Sequence, residues 1–385
     1  MPELENYAGR EQAFVKHTFL ETYLDGLLYK VGHVHDEIAY VDGFAGPWQS
    51  ADEQFTDTSF GLALEKLRQV KSGLAQRGRA ISVKAVLVEA DAEAYARLET
   101  VPARYPDLIV RTIHGDFNHS ISAINAELGR AFSFVFVDPK GWSVDMAELG
   151  KLISRGNCEV VFNFMFDFVN RFAGWEPVSD SMDRLFVGVD WRGAIDQAED
   201  RKAAIHECFR QSLVHVGQYP YSLSTEVLKS TSDRVLYSLF YATRHPEGVR
   251  VFRHTQIKAL TAQEKVRAEL KQRAVAETDQ GELFALHDMT RDETAEFLQG
   301  EQRRARDAML AAAAEPPASE RFGDVATRLM LAHVVRRVEL GQIAAGLRKE
   351  GLVQLAPWPA KKRVPEDNYR IARLRSSERA SAGPH

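Results

Sequence analysis

Cysteine is scarce in this chain, because its 385 residues include only Cys158 and Cys208. Two isolated cysteines form neither a disulfide framework nor the paired spacing of a zinc site, so we expect a reducing setting and no bound metal. Long apolar runs are missing too, since no stretch approaches the roughly 18 residues that a membrane-spanning helix needs. The first residues also lack the apolar segment of a secretion signal. We therefore expect a cytoplasmic protein with no membrane partner.

Several common catalytic motifs are also missing. The sequence contains no Walker loop, no HExxH pair and no GxSxG nucleophile elbow. Their absence excludes the main classes of P-loop nucleotidase, zinc protease and α/β-hydrolase. The composition, with 45% hydrophobic and 27% charged residues, is that of an ordinary globular protein. At this length two domains are expected.

Charge is distributed unevenly along the chain. The net charge is −5, but residues 321–375 contain twelve Lys or Arg and five Asp or Glu, a local charge of +7 that leaves −12 for the remainder. A basic segment attached to an acidic body is typical of proteins that contact nucleic-acid phosphates. We therefore expect nucleic acid as a partner of the C-terminal part.

Short apolar segments alternate with helical patterns over the first part of the chain. Strands are predicted at about 37–42, 83–89, 108–113, 132–138 and 158–165. With helices between them, this alternation favours a mostly parallel, Rossmann-like α/β sheet that has helices on both faces. Two further β-like runs, 221–228 and 235–242, lie close enough in sequence to form a hairpin that closes the sheet.

These patterns divide the chain into four parts. Residues 1–260 are assigned to the Rossmann-like domain, and residues 261–317 to a charged, alanine-rich helical linker that ends at two prolines. Residues 318–376 combine two helices with a basic hairpin, an order typical of a winged helix-turn-helix module. The last residues, 377–385, are expected to be disordered.

A turn of small residues follows the first predicted strand. It consists of Asp42, Gly43, Phe44, Ala45, Gly46 and Pro47. Small side chains allow a backbone to approach a ligand closely, and glycine tolerates unusual backbone angles. In open α/β sheets, ligands bind at the carboxyl ends of the strands. The pattern is compatible both with a ligand-binding turn and with a purely structural turn between a strand and a helix.

Acidic residues also follow the second and third predicted strands. Glu89 is placed to accept hydrogen bonds from ribose hydroxyls, as the acid of dinucleotide-binding folds does. Its distance from Asp42 exceeds the spacing in that fingerprint, so a solvated strand-end acid is the alternative. Asp116 and Phe117 are candidates for an adenine acceptor and a stacking ring. Asp116 is also suited to cap the next helix.

The fourth strand leads into Asp138, Pro139, Lys140, Gly141 and Trp142. Group transfer depends on positioning of the nucleophile, and we assign catalytic roles to three of these residues. The Asp138 carboxylate and the Pro139 carbonyl would accept hydrogen bonds from a substrate amine, and Trp142 would stack on a base. A simple strand-terminating turn is the alternative.

Two further sets of polar residues are candidates. Lys16 and His17 lie on the first predicted helix, 11–30, where both are candidate partners for a cofactor carboxylate and ordinary surface placement is the alternative. Asn163, Asp167, Asn170 and Arg171 alternate with phenylalanines at and after the fifth strand, and packing is the main interpretation of this segment. A polar group in such surroundings needs a partner, and a substrate is one candidate.

Taken together, these segments resemble the three-Cys-motif partner protein family, TcmP, over nearly the full length of the chain. The resemblance rests on Lys16–Leu20, Tyr40–Pro47, Val88–Glu89, Gly115–Phe117, Val137–Trp142 and Ala242–Pro246. It implies a class I methyltransferase-like fold and S-adenosylmethionine as the cofactor. It also implies a partner protein of the radical S-adenosylmethionine type, which would supply the iron–sulfur cysteines that this chain lacks.

More broadly, Asp138-Pro139 is similar to the amino-methylating motif of DNA methyltransferases. Two residues depart from the methyltransferase pattern. Trp48 stands where a second glycine is usual, which bears on the floor of the cofactor pocket. Lys140 replaces a second proline, which bears on N-methylation chemistry more than on cofactor binding.

Three functions remain compatible with the sequence. The first is an S-adenosylmethionine-dependent methyltransferase that its basic C-terminal module brings to nucleic acid. The second is a non-catalytic partner protein that recruits the radical enzyme to nucleic acid. In both, exposed cations would contact phosphate and give salt-sensitive affinity; these cations are Lys361, Lys362, Arg363, Arg370 and Arg373. In the third, the basic module makes protein contacts only.

Overall fold

The structure is a computed structural model. It describes residues 4–7, 10–47, 50, 55–141, 143–172, 175–230, 232–276 and 292–374. The chain divides into two units, Met1–Gly248 with Lys258–Leu270, and Val249–Ile257 with Lys271–His385. The predicted disordered tail, 377–385, lies outside the described residues. Among the described helices, none is both long and apolar enough to span a membrane.

A seven-stranded sheet forms the centre of the first unit. Its strands are β1 Glu37–Asp42, β2 Ser82–Glu89, β3 Ile109–His114, β4 Phe132–Val137, β5 Cys158–Phe164, β6 Tyr221–Leu228 and β7 Val235–Thr243. The spatial order is β3-β2-β1-β4-β5-β7-β6. Strands β1 to β5 pair in parallel, and β7 pairs antiparallel with both β5 and β6. The predicted Rossmann-like sheet and its closing hairpin are therefore confirmed.

The direction in which the chain adds strands reverses between β1 and β4. From β1 the chain proceeds outward to β2 and β3, and it then returns to place β4 and β5 on the other side. Such a switch point leaves a crevice at the carboxyl edge of an open α/β sheet. The fold therefore places the turns after β1 and β4 next to each other.

Helices cover both faces of the sheet. Side chains alternate between the two faces along each strand, so each strand contributes residues to the packing on both sides. On one face, Phe134 of β4 stacks against Tyr23 and Tyr40, with ring centroids 5.1 and 6.1 Å apart. On the other face, Val135 belongs to a core cluster that includes Ile121. All six residues of β4 are buried, as expected for a parallel strand with both faces covered.

The helices of the first unit follow the predicted alternation with strands. They are α1 Glu11–Val34, α2 Ser59–Ala75, α3 Ala92–Leu98, α4 Phe117–Leu128, α5 Met146–Ile153, α6 Phe166–Phe172, α7 Ser179–Leu185, α8 Trp191–Asp196 and α9 Arg201–Gly217. Helix α1 packs against α2, and α5 packs against both α4 and α9. A long helix, α10 Pro246–Ala276, follows β7 and contains the boundary between the two units.

A buried acid and two buried thiols lie in the core of the first unit. Glu159 of β5 accepts hydrogen bonds from the hydroxyls of Tyr23 (2.5 Å), Tyr241 (2.9 Å) and Thr243 (2.7 Å). Burial raises the pKa of Glu159, although these donors oppose the shift. Cys158, beside it on β5, and Cys208 on α9 are both free and buried. All of these groups therefore serve packing.

The second unit combines helices with a small antiparallel sheet. Its elements are α11 Glu293–Ala312, β8 Glu320–Arg321, α12 Phe322–Ala332, α13 Arg337–Lys349, β9 Val353–Ala356 and β10 Arg370–Arg373. Strand β10 lies between β8 and β9. Asp367, just before β10, accepts hydrogen bonds from Arg337 (2.8 Å) and Arg250. The order of two helices and a hairpin agrees with expectation, and its assignment as a winged helix-turn-helix stays a prediction.

Candidate functional site

A cleft of about 590 Å³ opens at the carboxyl edge of the seven-stranded sheet. Its volume lies within the range of small-molecule sites, roughly 300–1,000 Å³. The predicted site residues that line it are Lys16, Gly43, Phe44, Ala45, Gly46, Pro47, Glu89, Asp116, Phe117, Asp138 and Pro139. The fold thus brings together residues from α1 and from the turns after β1, β2, β3 and β4.

The turn after β1 is fixed to both neighbouring strands. The Gly43 amide donates to the carbonyl of Phe136 at 3.1 Å, and the Ala45 amide donates to the carbonyl of Val88 at 2.8 Å. A methyl group on Gly43 would lie 2.7 Å from the ring of Phe117. Glycine is therefore required at this position by the close approach of that ring.

Asp42 lies beneath the cleft and does not line it, which differs from the direct cofactor contact predicted for it. Its side chain is fully buried. The carboxylate accepts hydrogen bonds from the Tyr40 hydroxyl (3.0 Å), the Ser59 hydroxyl (3.0 Å) and the Phe44 amide (3.1 Å). Because all its contacts are internal, Asp42 shapes the turn and leaves ligand contacts to the residues above it.

Burial raises the pKa of Asp42 to about 6. The Phe44 amide opposes this shift, and the Asp138 carboxylate adds to it. Water does not reach the group, so the ionised form depends on its three donors for stabilisation. The carboxyl therefore changes protonation within a mildly acidic range.

Phe117 supports the turn from below and offers little surface for stacking. Only 2% of the residue is exposed, and its ring packs against Phe44 at a centroid distance of 5.3 Å. Phe44 is half-buried and also lines the cleft. The stacking surface that was predicted at Phe117 is therefore presented mainly by Phe44.

Two acids reach the cleft from the ends of β2 and β3. One oxygen of Glu89 accepts the amide of Asp91 at 2.7 Å. One oxygen of Asp116 caps α4 by accepting the amides of Asn118 (2.9 Å) and His119 (3.3 Å). Each carboxylate thus has its position set by a backbone donor, and its second oxygen remains as an acceptor at the cleft wall. The capping role foreseen for Asp116 is present.

Asp138 is held by two donors at the end of β4. Its Oδ2 atom lies 2.5 Å from Lys16 Nζ, and its Oδ1 atom accepts Asn163 Nδ2 at 2.5 Å. Burial favours the neutral acid, but the Lys16 ammonium and the Asn163 amide hold the pKa of Asp138 below its usual range. The amide oxygen of Asn163 is buried and has no hydrogen-bond partner among the described residues. The Asp138 carboxylate is therefore an ionised hydrogen-bond acceptor, and the Asn163 amide oxygen is a second, unused acceptor beside it.

His17, adjacent to Lys16, is a neutral residue of the cleft wall. Burial and the neighbouring Lys16 ammonium lower its pKa to about 3. Its Nδ1 atom shares a hydrogen bond of 2.9 Å with the hydroxyl of Tyr7. Burial, followed by the charge of Asp57, raises the pKa of Tyr7 to about 12. His17 therefore contributes no positive charge that would bind a carboxylate.

Two predicted residues cannot be placed. Trp142, assigned a catalytic stacking role, and Trp48, the departure from the methyltransferase pattern, lie outside the described residues. Gly141, which precedes Trp142, has φ +93°, which glycine tolerates and other residues rarely adopt. A methyl group there would lie 3.2 Å from the ring of Phe168. The positive φ is therefore the reason that this turn requires glycine, and the Phe168 ring would only have to shift slightly.

Several residues that line the cleft or support its lining were not predicted from the sequence. Arg10 pairs with Asp57 at 3.3 Å, and Arg97 donates to the carbonyls of Pro47 (2.9 Å) and Ser50 (3.3 Å). These partners are about fifty positions apart, so no local pattern reveals them. Tyr40 was detectable, because it is two positions before Asp42 on β1 and therefore shares its face.

The five predicted phosphate contacts of the second unit differ in their availability. Lys362 pairs with Glu366, and Arg373 lies 3.8 Å from Glu315. Arg370 donates to the side chain and carbonyl of Ser319, at 2.8 and 2.7 Å. Lys361 and Arg363 are exposed and make no ion pair with any described residue. These two are the most accessible cations of the set.

The pKa of Asp42 leads to a stability prediction. The pKa of Asp42 rises from 3.8 to about 6 on folding, so between these pH values the folded state binds more protons than the unfolded state. The contribution of this carboxyl to the free energy of unfolding therefore decreases as the pH increases through that interval. Asp42→Asn removes this titration. Relative to the wild type, the variant should gain up to about 3 kcal/mol between pH 4 and pH 7, at about 1.4 kcal/mol per pKa unit. Urea unfolding at both pH values measures the difference, and parallel profiles would contradict it.

Comparison with known proteins gives a limited result. No family model matches the chain, and no curated protein sequence matches it. An O-methyltransferase from Bacillus cereus in complex with SAH is similar in structure, with a TM-score of 0.31 and 14% identity over 58% of this chain and 80% of that chain. A Klebsiella pneumoniae protein assigned as an O-methyltransferase has a TM-score of 0.30 and 12% identity over 60% and 80%. Because both TM-scores are low, the geometry of the cleft must support any function on its own.

Proposed function

We propose that this chain is an S-adenosylmethionine-dependent methyltransferase that acts on an amino group, with nucleic acid as the acceptor class. The observation that supports this proposal is the convergence of the Gly43–Pro47 turn, Glu89, Asp116 and Asp138 on one cleft at the switch point of the sheet. Each of these elements follows one of the four strands β1 to β4, which are neighbours in the sheet in the order β3-β2-β1-β4.

The donors and acceptors of the cleft fit this cofactor. The second oxygen of Glu89 is an acceptor for the ribose hydroxyls, and Asp116 is an acceptor for the adenine amino group. Phe44 offers a half-buried ring beside them, and Lys16 is a cation for the amino-acid carboxylate. When bound, S-adenosylmethionine would supply an electrophilic methyl group; as the acceptor nitrogen bonds to it, the thioether S-adenosylhomocysteine would leave, and the methylated nitrogen would release its proton to solvent in the open cleft.

The chain's own residues would position the acceptor. Asp138 and the free amide oxygen of Asn163 are adjacent acceptors, which suits an amino group with two hydrogens better than a hydroxyl group with one. Because the pKa of Asp138 is held below its usual range, this carboxylate orients the nitrogen lone pair by hydrogen bonding and is a weak base near neutral pH.

Calorimetry with S-adenosylhomocysteine tests the cofactor site. Glu89→Gln should weaken binding about tenfold, because a charge-assisted hydrogen bond to a hydroxyl is replaced by a neutral one. The matched control is Glu93→Gln, an exposed acid on α3, which should leave the affinity unchanged. Absence of binding to the wild-type chain would contradict the proposed function.

The alternative function is a non-catalytic partner protein that recruits a three-Cys radical S-adenosylmethionine enzyme to nucleic acid. One observation favours it: Lys16 and Asn163 already occupy both oxygens of Asp138. The two functions differ in turnover alone, since the cleft would bind the cofactor in each.

A labelled-methyl assay on single-stranded DNA, duplex DNA and RNA separates the two functions. Under the leading proposal, the wild type transfers label to one of these acceptors, and Asp138→Asn lowers transfer about 100-fold, the scale expected when a reacting group is mispositioned. Transfer that persists in the variant would refute the role of Asp138. S-adenosylhomocysteine binding without transfer to any acceptor would support the partner protein.

The basic C-terminal module would bring the cleft to its acceptor as a winged helix-turn-helix. Lys361 and Arg363 support this role, because they lie exposed in the connection between β9 and β10. Substituting both by Ala should weaken binding to a short DNA duplex and reduce the slope of log K against log salt by about two, since each phosphate contact contributes about one. Arg303→Ala, an exposed cation on α11, is the control. An unchanged slope in the double variant would favour a module that contacts protein only.

A further inference from the structure

Lys16 and Asp138 form an ion pair with each other, so the ligand contacts proposed for the two side chains compete with this pair. Lys16 is the candidate partner of the cofactor carboxylate, and Asp138 is the candidate acceptor of the substrate amine, yet each is bound to the other at 2.5 Å. Both side chains are 19% exposed, so the pair lies at the cleft surface, where a ligand can reach it. Neither group can make its proposed contact fully while the pair is closed.

Lys16 is better suited to a new anionic partner than the other cations of the cleft. Arg10 is paired with Asp57, which also accepts the Ser50 hydroxyl at 2.6 Å. Lys140 also lines the cleft, but it is exposed to solvent and follows Pro139, farther along the chain from Asp138, and His17 is neutral. A lysine ammonium on a flexible stem can exchange one carboxylate for another with little rearrangement of the backbone.

Asp138 would remain in place if Lys16 moved away. Asn163 holds its Oδ1 atom at 2.5 Å, and Asn163 is itself anchored in β5 with only 3% of its surface exposed. Departure of Lys16 would therefore expose Oδ2 of an already oriented carboxylate, next to the unpartnered oxygen of Asn163. The two acceptor oxygens are therefore already in place, and only Lys16 prevents a substrate amine from reaching them.

We propose that Lys16 is shared between two carboxylates, covering Asp138 in the free protein and moving to the amino-acid carboxylate of the cofactor when it binds. The acceptor site then opens only after the cofactor is in place, which imposes an order on binding. This inference rests on the proposed cofactor. Lys16 acts here as a positioning residue, and Asp138 is the group that it uncovers.

If Asp138 competes with the cofactor for Lys16, removing the charge of Asp138 should increase the affinity for the cofactor. Asp138→Asn frees Lys16, so S-adenosylhomocysteine should bind roughly threefold to tenfold more tightly, the effect of releasing a partly exposed ion pair. Asn163 can rotate its amide to offer its oxygen to the new side-chain amide, so the variant should fold. The probe 5′-methylthioadenosine lacks the amino-acid carboxylate and should bind both proteins alike. Calorimetry measures both ligands.

A double-mutant cycle separates this mechanism from a general field effect. Lys16→Met should weaken S-adenosylhomocysteine about tenfold or more, since it removes a charge-assisted contact, and should leave 5′-methylthioadenosine unchanged. In the Lys16→Met background, Asp138→Asn should have no further effect. Asp57→Asn is the matched control, because it releases Arg10 instead; tightening by this variant alone would assign the carboxylate to Arg10 and overturn the inference.

The remaining outcomes are decisive as well. If Asp138→Asn weakens S-adenosylhomocysteine, Asp138 holds the cofactor directly and the proposed sharing is wrong. If it tightens binding equally in the Lys16→Met background, the effect is one of net charge and the sharing is again wrong. If neither ligand binds the wild type, the proposed cofactor fails and the inference fails with it.

Discussion

The carboxylate of Asp42 lies at the end of β1, where it accepts hydrogen bonds from Tyr40, Phe44 and Ser59. Ser59 begins α2, so one buried group joins the strand, the turn and the next helix. The turn is also hydrogen-bonded to β2 and β4, which keeps it against the carboxyl edge of the sheet. Because Glu89 and Asp138 end the two strands beside it, the width of the cleft depends on this internal connection.

The cleft has two chemically different parts. Near β2 and β3, Glu89 and Asp116 are acceptors whose positions are set by backbone amides. Near α1 and β4, a cation and a carboxylate neutralise each other, with an amide oxygen unused beside them. A ligand that combines hydroxyl and amino donors at one end with a carboxylate at the other matches both parts. Under the proposed function, the cofactor would span both parts and its acceptor would bind at the second part.

The sequence predicted the elements of the sheet well and the contacts between them poorly. Apolar runs that end in acids located β1 to β4, because buried parallel strands carry a continuous signal. The pairing of Lys16 with Asp138 spans 122 positions, and no periodicity encodes it. Asp42 and Phe117 were assigned to ligand contact, since a sequence does not show which of several adjacent residues is covered by the others. Strand β8, with two residues, is too short for any pattern.

Both cysteines are enclosed by the core, with Cys158 2% and Cys208 3% exposed. Burial raises the pKa of each thiol, so neither readily forms the thiolate that reacts with oxidants or alkylating probes. The two native cysteines should therefore react little with thiol reagents while the protein is folded. A single cysteine introduced on the surface, for example by Lys361→Cys, would react selectively with a cross-linker or a spin label. A protein or nucleic acid that binds near this position would be cross-linked and its contact site mapped. Neither native cysteine would have to be removed first.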